Sequence, residues 1–177
     1  NQDNKWTWAS EITKYSPFGF QLENKNPLDI YSSELYGYNN TVVTTVASNA
    51  KYEEIAFDGF EYGNVIQSIG FIFTHEKQGH LFDCESTNIA SHTGDYCMAV
   101  GGIITKTPDV NLQVGKKYVF SAWTMTKNNL YEGEVEVLDG SNNSLGLGQV
   151  NGDFKEVDGW TKVEVVVTAT TNTVHLK

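Results

Sequence analysis

Apolar and polar residues alternate with a period of two through several stretches of this chain. In Tyr96-Cys97-Met98-Ala99-Val100, Tyr96, Met98 and Val100 share one face, and Cys97 and Ala99 take the other. Tyr118, Phe120 and Ala122 alternate in the same way with Val119, Ser121 and Trp123. From Glu132 to Leu138 valines fall on one face and glutamates on the other, and Trp160 to Val167 repeats the pattern. Thr93-Gly94, Gly115-Lys116 and the cluster Asp139 to Asn143 supply turns between these stretches. Shorter apolar stretches lie at Ile69–Phe73, His80–Cys84 and within Ile103–Val114. A period of two interrupted by turn residues marks antiparallel sheet with one buried face. The expected fold is mainly β: an antiparallel two-sheet β-sandwich, or jelly roll, over residues 57–177. Shared parity nominates a core of Phe60, Tyr96, Met98, Val100, Tyr118, Phe120, Val135, Val137, Val163 and Val165.

Residues 1–56 read differently, as an N-terminal extension with one or two short helices. Trp6 and Trp8 suggest a short strand, and Ser16-Pro17-Phe18-Gly19 a turn. Asn26 suits an N-cap, Pro27 the first helical position and Asp29 the first turn. Leu28, Tyr31, Ser32 and Leu35 then form a partial stripe that Gly37 ends. A second helix is expected from Thr44 to Ile55, on the spacing of Val46, Ala50 and Tyr52 or Glu53.

The net charge is −10, and all 12 basic residues are lysines. The only adjacent pair, Lys116-Lys117, sits in a turn. Phosphate-rich surfaces need clustered cations, so nucleic acid is not an expected partner, and neither is an anionic membrane. No stretch is long and apolar enough to predict membrane insertion. The Asn-, Thr-, Gly- and Tyr-rich texture reads as extracellular or cell-surface. The first residue is Asn1, which suggests an excised piece of a larger parent chain.

Two cysteines, Cys84 and Cys97, flank a loop-like stretch. A hairpin closing near Ala90 and Ser91 sets them face to face for a disulfide worth roughly 3 kcal/mol. The alternative is two unrelated thiols. No GxSxG-type nucleophile motif and no assignable acid–base carboxylate pair is present, so the chain is not expected to be an enzyme.

The ordered set Phe57-Asp58-Gly59-Phe60-Glu61, His92 to Val100 and Val114 to Trp123 resembles the β-jelly-roll carbohydrate-binding modules with a galactose-binding-like fold. The resemblance covers about residues 57 to 168. It implies a non-catalytic module of a larger secreted or surface protein, of the kind attached to bacterial glycoside hydrolases. It also implies a structural calcium. Glu61 carries over as a ligand, and Asp95 with the carbonyls around Gly94 as others. The family's closing-strand acidic residue has no counterpart before Lys177, so the jelly roll is expected to lack its closing strand. The competing reading of Glu61 is a solvated edge carboxylate.

Sugar recognition needs a flat aromatic face for the apolar side of a ring, and carboxylates or amides for its hydroxyls. Trp123 is the candidate platform because its parity points it away from the Phe120–Ala122 face. Glu136 and Tyr131 are the candidate polar partners, with Glu134 and Gln149 as further neighbours. The competing reading packs Trp123 beneath residues 1–56 and makes the chain a structural or adhesive spacer with no glycan ligand.

Overall fold

The computed structural model describes residues 7–57, 59, 66–67, 81–83, 91–98, 110–125, 133–150 and 157–177. These fold mainly as antiparallel β-structure. The chain divides into two compact units: Asn1–Asp58 with Ile66–Phe71, and Gly59–Val65 with Ile72–Lys177. No helix among the described residues is long and apolar enough to cross a membrane.

The first unit is built on a four-stranded meander: β1 (Glu11–Tyr15), β2 (Gln21–Lys25), β3 (Tyr31–Gly37) and β4 (Val42–Ser48). The expected helices are not there. Asn26 does not cap a helix; its Oδ1 accepts the amides of Leu28 and Ile30, closing the β2–β3 hairpin. Asp29 adopts φ 56° in that turn, which a first helical turn does not allow. Burial along β3 follows a period of two, with Ser33, Leu35 and Gly37 inside, so the Leu28–Tyr31–Leu35 spacing was a coincidence. Tyr38, Asn39 and Asn40, all at positive φ, then turn the chain into β4. There Val42, Val43, Thr44, Thr45 and Val46 are all β-branched and fit a pleated strand better than a helix. Of the second expected helix only a 3-10 turn at Tyr52–Glu54 remains. The Ser16–Gly19 turn is present: Ser16 Oγ accepts the amides of Phe18 and Phe20, and Gly19 sits at φ 85°. A short antiparallel pair, β5 (Ala56–Phe57) with β6 (Ile66–Gln67), completes this unit.

The second unit carries β7 (Leu81–Asp83) paired with β8 (Tyr96–Met98), and then β9 (Val110–Asn111), β10 (Lys117–Met125), β11 (Glu134–Asp139), β12 (Ser144–Gln149), β13 (Trp160–Thr168) and β14 (Thr173–Leu176). β10 and β13 form one antiparallel ribbon; β9, β11, β12 and β14 form a sheet in the order β12-β11-β14-β9. Val135, Val137, Val163 and Val165 are buried as expected from parity, together with Val167 and Val174. Tyr118 and Phe120 are half-buried while Val119, Ser121 and Trp123 alternate outward. Phe60 and Val100, and the side chains of Tyr96 and Met98, lie outside the described residues.

Two glycines explain how β12 meets β13. A Cβ on Gly146 would lie 2.7 Å from Val167 Cγ1, and one on Gly148 would lie 2.6 Å from the Glu164 carbonyl oxygen. Gly146 and Gly148 pair across the ladder with Val137 and Val135. The valine face of β11 and β12 is therefore the one turned to β13, and Glu134 and Glu136 face away from it.

Candidate functional site

Cross-strand pairing in the β10–β13 ribbon decides which side chains share its outward face. Trp123 lies opposite Lys162, Ser121 opposite Glu164 and Val119 opposite Val166. Directly opposed residues point to the same side of a sheet. The other side carries half-buried Phe120 and Ala122 against buried Val165 and Val163, while on the Trp123 side the next pair is Met125 opposite buried Trp160. The outward face thus presents an indole, an ammonium–carboxylate pair, a hydroxyl and two valines in sequence along the strands.

Trp123 is 37% exposed. The imidazole of His92 covers one of its ring faces, with centroids 4.1 Å apart and planes 20° from parallel. His92 in turn meets buried Trp160 edge-on at 6.0 Å and 76°. The bend that delivers His92 is tied by the Ser91 hydroxyl donating to the Gly94 carbonyl, with Gly94 in the left-handed region at φ 68°. Beside the indole, Lys162 Nζ donates to Glu164 Oε2 at 2.8 Å. The arrangement sets a partly exposed indole next to an ammonium donor and a carboxylate acceptor.

The expected site is only partly assembled. Trp123 faces outward, as parity required. Glu136 does not join it: it is on the face of β11 turned away from β13, where its carboxylate accepts from Lys177 Nζ at 2.9 Å. That hydrogen bond, with a further one from Ser144, holds the Glu136 carboxyl below its ordinary value. Its parity put it off the core, but the outward faces of two apposed sheets point in opposite directions. Gln149 bonds Glu134 on that same remote face. Tyr131 lies outside the described residues. Lys162, Glu164 and Ser121 escaped the sequence reading because only the β10–β13 register brings them to Trp123. Nothing in the alternation singled out His92 beyond its place in a turn.

Asp95 is exposed, and the Gly94 carbonyl beside it accepts from the Ser91 hydroxyl. Glu61 lies outside the described residues. Calcium takes six to eight oxygen ligands. Among the described residues no group of three His, Cys, Asp or Glu is placed to hold a metal ion; the expected calcium site turns on Glu61 and backbone carbonyls, and Glu61 lies outside those residues. Cys97 is disulfide-bonded. Its Cα partner across β7–β8 is Phe82, so the register differs by two residues from the one that sets the cysteines face to face; Cys84 itself lies outside the described residues.

No protein-family model matches this chain, and neither a curated protein nor a solved structure gives a significant match.

Proposed function

We propose that this chain is a non-catalytic carbohydrate-binding module, with its ligand surface on the outward face of the β10–β13 ribbon around Trp123. In this reading the second unit is a galactose-binding-like jelly roll and belongs to a larger secreted or surface protein. One observation carries the proposal. A half-open indole, braced on one side by His92, stands next to the Lys162–Glu164 pair and the Ser121 hydroxyl. A pyranose has an apolar face that stacks on such a ring and hydroxyls that both donate and accept.

The test is a glycan array with the intact chain, followed by titration of each hit against Trp123→Ala. Binding that disappears in the variant, with the melting temperature nearly kept, supports the proposal. A folded chain that retains no glycan returns the spacer reading.

A further inference from the structure

The four-stranded sheet of the first unit has two edges, and they are built differently. β1 carries Glu11 and Lys14 among its five residues, and its pairing with β2 slips at two places. Charges and irregular pairing on an edge strand keep other strands from adding to it. β4 is not protected in this way. Its seven residues, Val-Val-Thr-Thr-Val-Ala-Ser, include no charge and no proline, and five of them are β-branched. Its one irregularity leaves out Thr44. β5, which follows it in the chain, pairs with β6 instead. Val42, Val43 and Val46 are 49%, 42% and 66% exposed.

Register shows which backbone groups this edge offers. Beyond Thr44 the partners run Glu34–Val46, Ser33–Ala47 and Ser32–Ser48, and the Asn49 amide donates to the Tyr31 carbonyl. Hydrogen-bonded and non-hydrogen-bonded pairs alternate in an antiparallel ladder. Thr45, Ala47 and Asn49 therefore turn their amides and carbonyls toward β3, and Val46 and Ser48 turn theirs away from it. Among the described residues these outward groups of β4 meet no strand. An open row of donors and acceptors is a template for another strand.

We propose that β4 pairs with β4 of a second copy of this chain, antiparallel about a two-fold axis at Val46, to make one eight-stranded sheet. The occupant follows from the edge itself. A two-fold interface sets one surface against its own copy, and here that brings valine to valine and no like charges together. At the axis the outward Val46 amide of each copy donates to the Val46 carbonyl of the other. β-branched side chains pack well across such a pair. The charged, irregular β1 then forms both ends of the joined sheet, so growth stops at two copies. The seam is a single strand pair, and interfaces below about 1,200 Å² belong to weak, transient complexes.

The experiment is sedimentation velocity of the intact chain from about 1 to 500 µM, where monomer should give way to dimer with a Kd of roughly 100 µM. Hydrogen exchange identifies the seam. The Val46 amide should gain about tenfold in protection from the dilute to the concentrated sample, while the Ala47 amide is protected in both. Val46→Lys sets two ammoniums against each other at the axis, yet each lies opposite Glu34 within its own sheet. It should weaken the dimer at least about tenfold and keep the melting temperature. Val46→Pro removes only an outward amide, which an edge strand tolerates, and should do the same. If the proline variant does not fold, the lysine variant and the exchange data decide. A chain that stays monomeric throughout overturns the proposal. So does a dimer that Val46→Lys leaves intact, a dimer whose Val46 amide stays unprotected, or association that runs past two copies.

Discussion

The imidazole of His92 lies almost parallel on the indole of Trp123, 4.1 Å between centroids, although 31 positions separate them in the chain. The contact closes one face of the indole. It predicts a coupling. Trp123→Ala and His92→Ala should each cost about 1 kcal/mol, and the double variant less than their sum, because an aromatic pair is worth about 0.5–1.5 kcal/mol beyond burial. Urea denaturation of the four proteins measures it. Additive losses would mean that the rings do not support one another. A loss in Trp123→Ala of about 3 kcal/mol or more, as for a core tryptophan, would mean that the ring is packed and not offered.

Gly148 should resist substitution far more than Gly140. An added methyl at Gly148 meets a backbone carbonyl at 2.6 Å, whereas one at Gly140 meets nothing within 4 Å. Gly148→Ala is expected to lose about 2 kcal/mol or more by forcing β12 off β13, and Gly140→Ala to change stability by less than about 0.5 kcal/mol. Equal melting temperatures for the two variants would contradict the close approach of these strands.

In the first unit a buried carboxylate joins three elements. Glu23 is 3% exposed; it accepts from the Thr13 hydroxyl at 2.6 Å and from the Tyr52 amide at 2.7 Å. Glu23→Ala leaves both donors without their acceptor and should cost about 2–4 kcal/mol. The change should appear as a lower denaturation midpoint, with protection from hydrogen exchange lost at the Tyr52 amide.

Asp139 closes the β11–β12 hairpin. Its carboxylate accepts from the Asn143 side chain and from the amides of Asn143 and Ser141, and these bonds hold it below its ordinary value. A carboxyl lowered on folding stabilises above its unfolded value, about 3.9, and that contribution fades as pH falls through the folded value. Glu136 is lowered in the same direction by Lys177. Asp139→Asn should therefore be less stable than the wild type at pH 7, with the difference shrinking as the solution is acidified through the carboxylate range. A constant difference from neutral to acid would show that ionisation of Asp139 is not what matters.

Cys97 is disulfide-bonded, and Cys84 is the chain's one other cysteine. Protein made under oxidising conditions should release no thiol when denatured without reductant. Cys97→Ser should lose roughly 3 kcal/mol, the closure entropy of a short loop. Recovery of two thiols from the denatured, unreduced chain would refute the pairing.

Alternation alone determined the second unit's strongest strands and the direction of their side chains. Val135, Val137, Val163 and Val165 are inside and Trp123 is outside because the period of two is a property of the strand itself. Turn chemistry was legible where a side chain closes its own loop, as at Asp139 and Ser16. It misled at Asn26, because the same oxygen that caps a helix also closes a hairpin, and which of the two forms depends on whether the flanking segments pair as strands. The Gly-rich β12 was not legible, since glycine carries no strand preference; those glycines are explained only by the nearness of β13. Parity says that a side chain faces out, but not onto which of two surfaces. Register and layer order decided that Lys162 and Glu164 stand beside Trp123 and that Glu136 does not. Those are relations between segments far apart in the chain, fixed by which strands pair and which faces are buried together, and no local pattern encodes them.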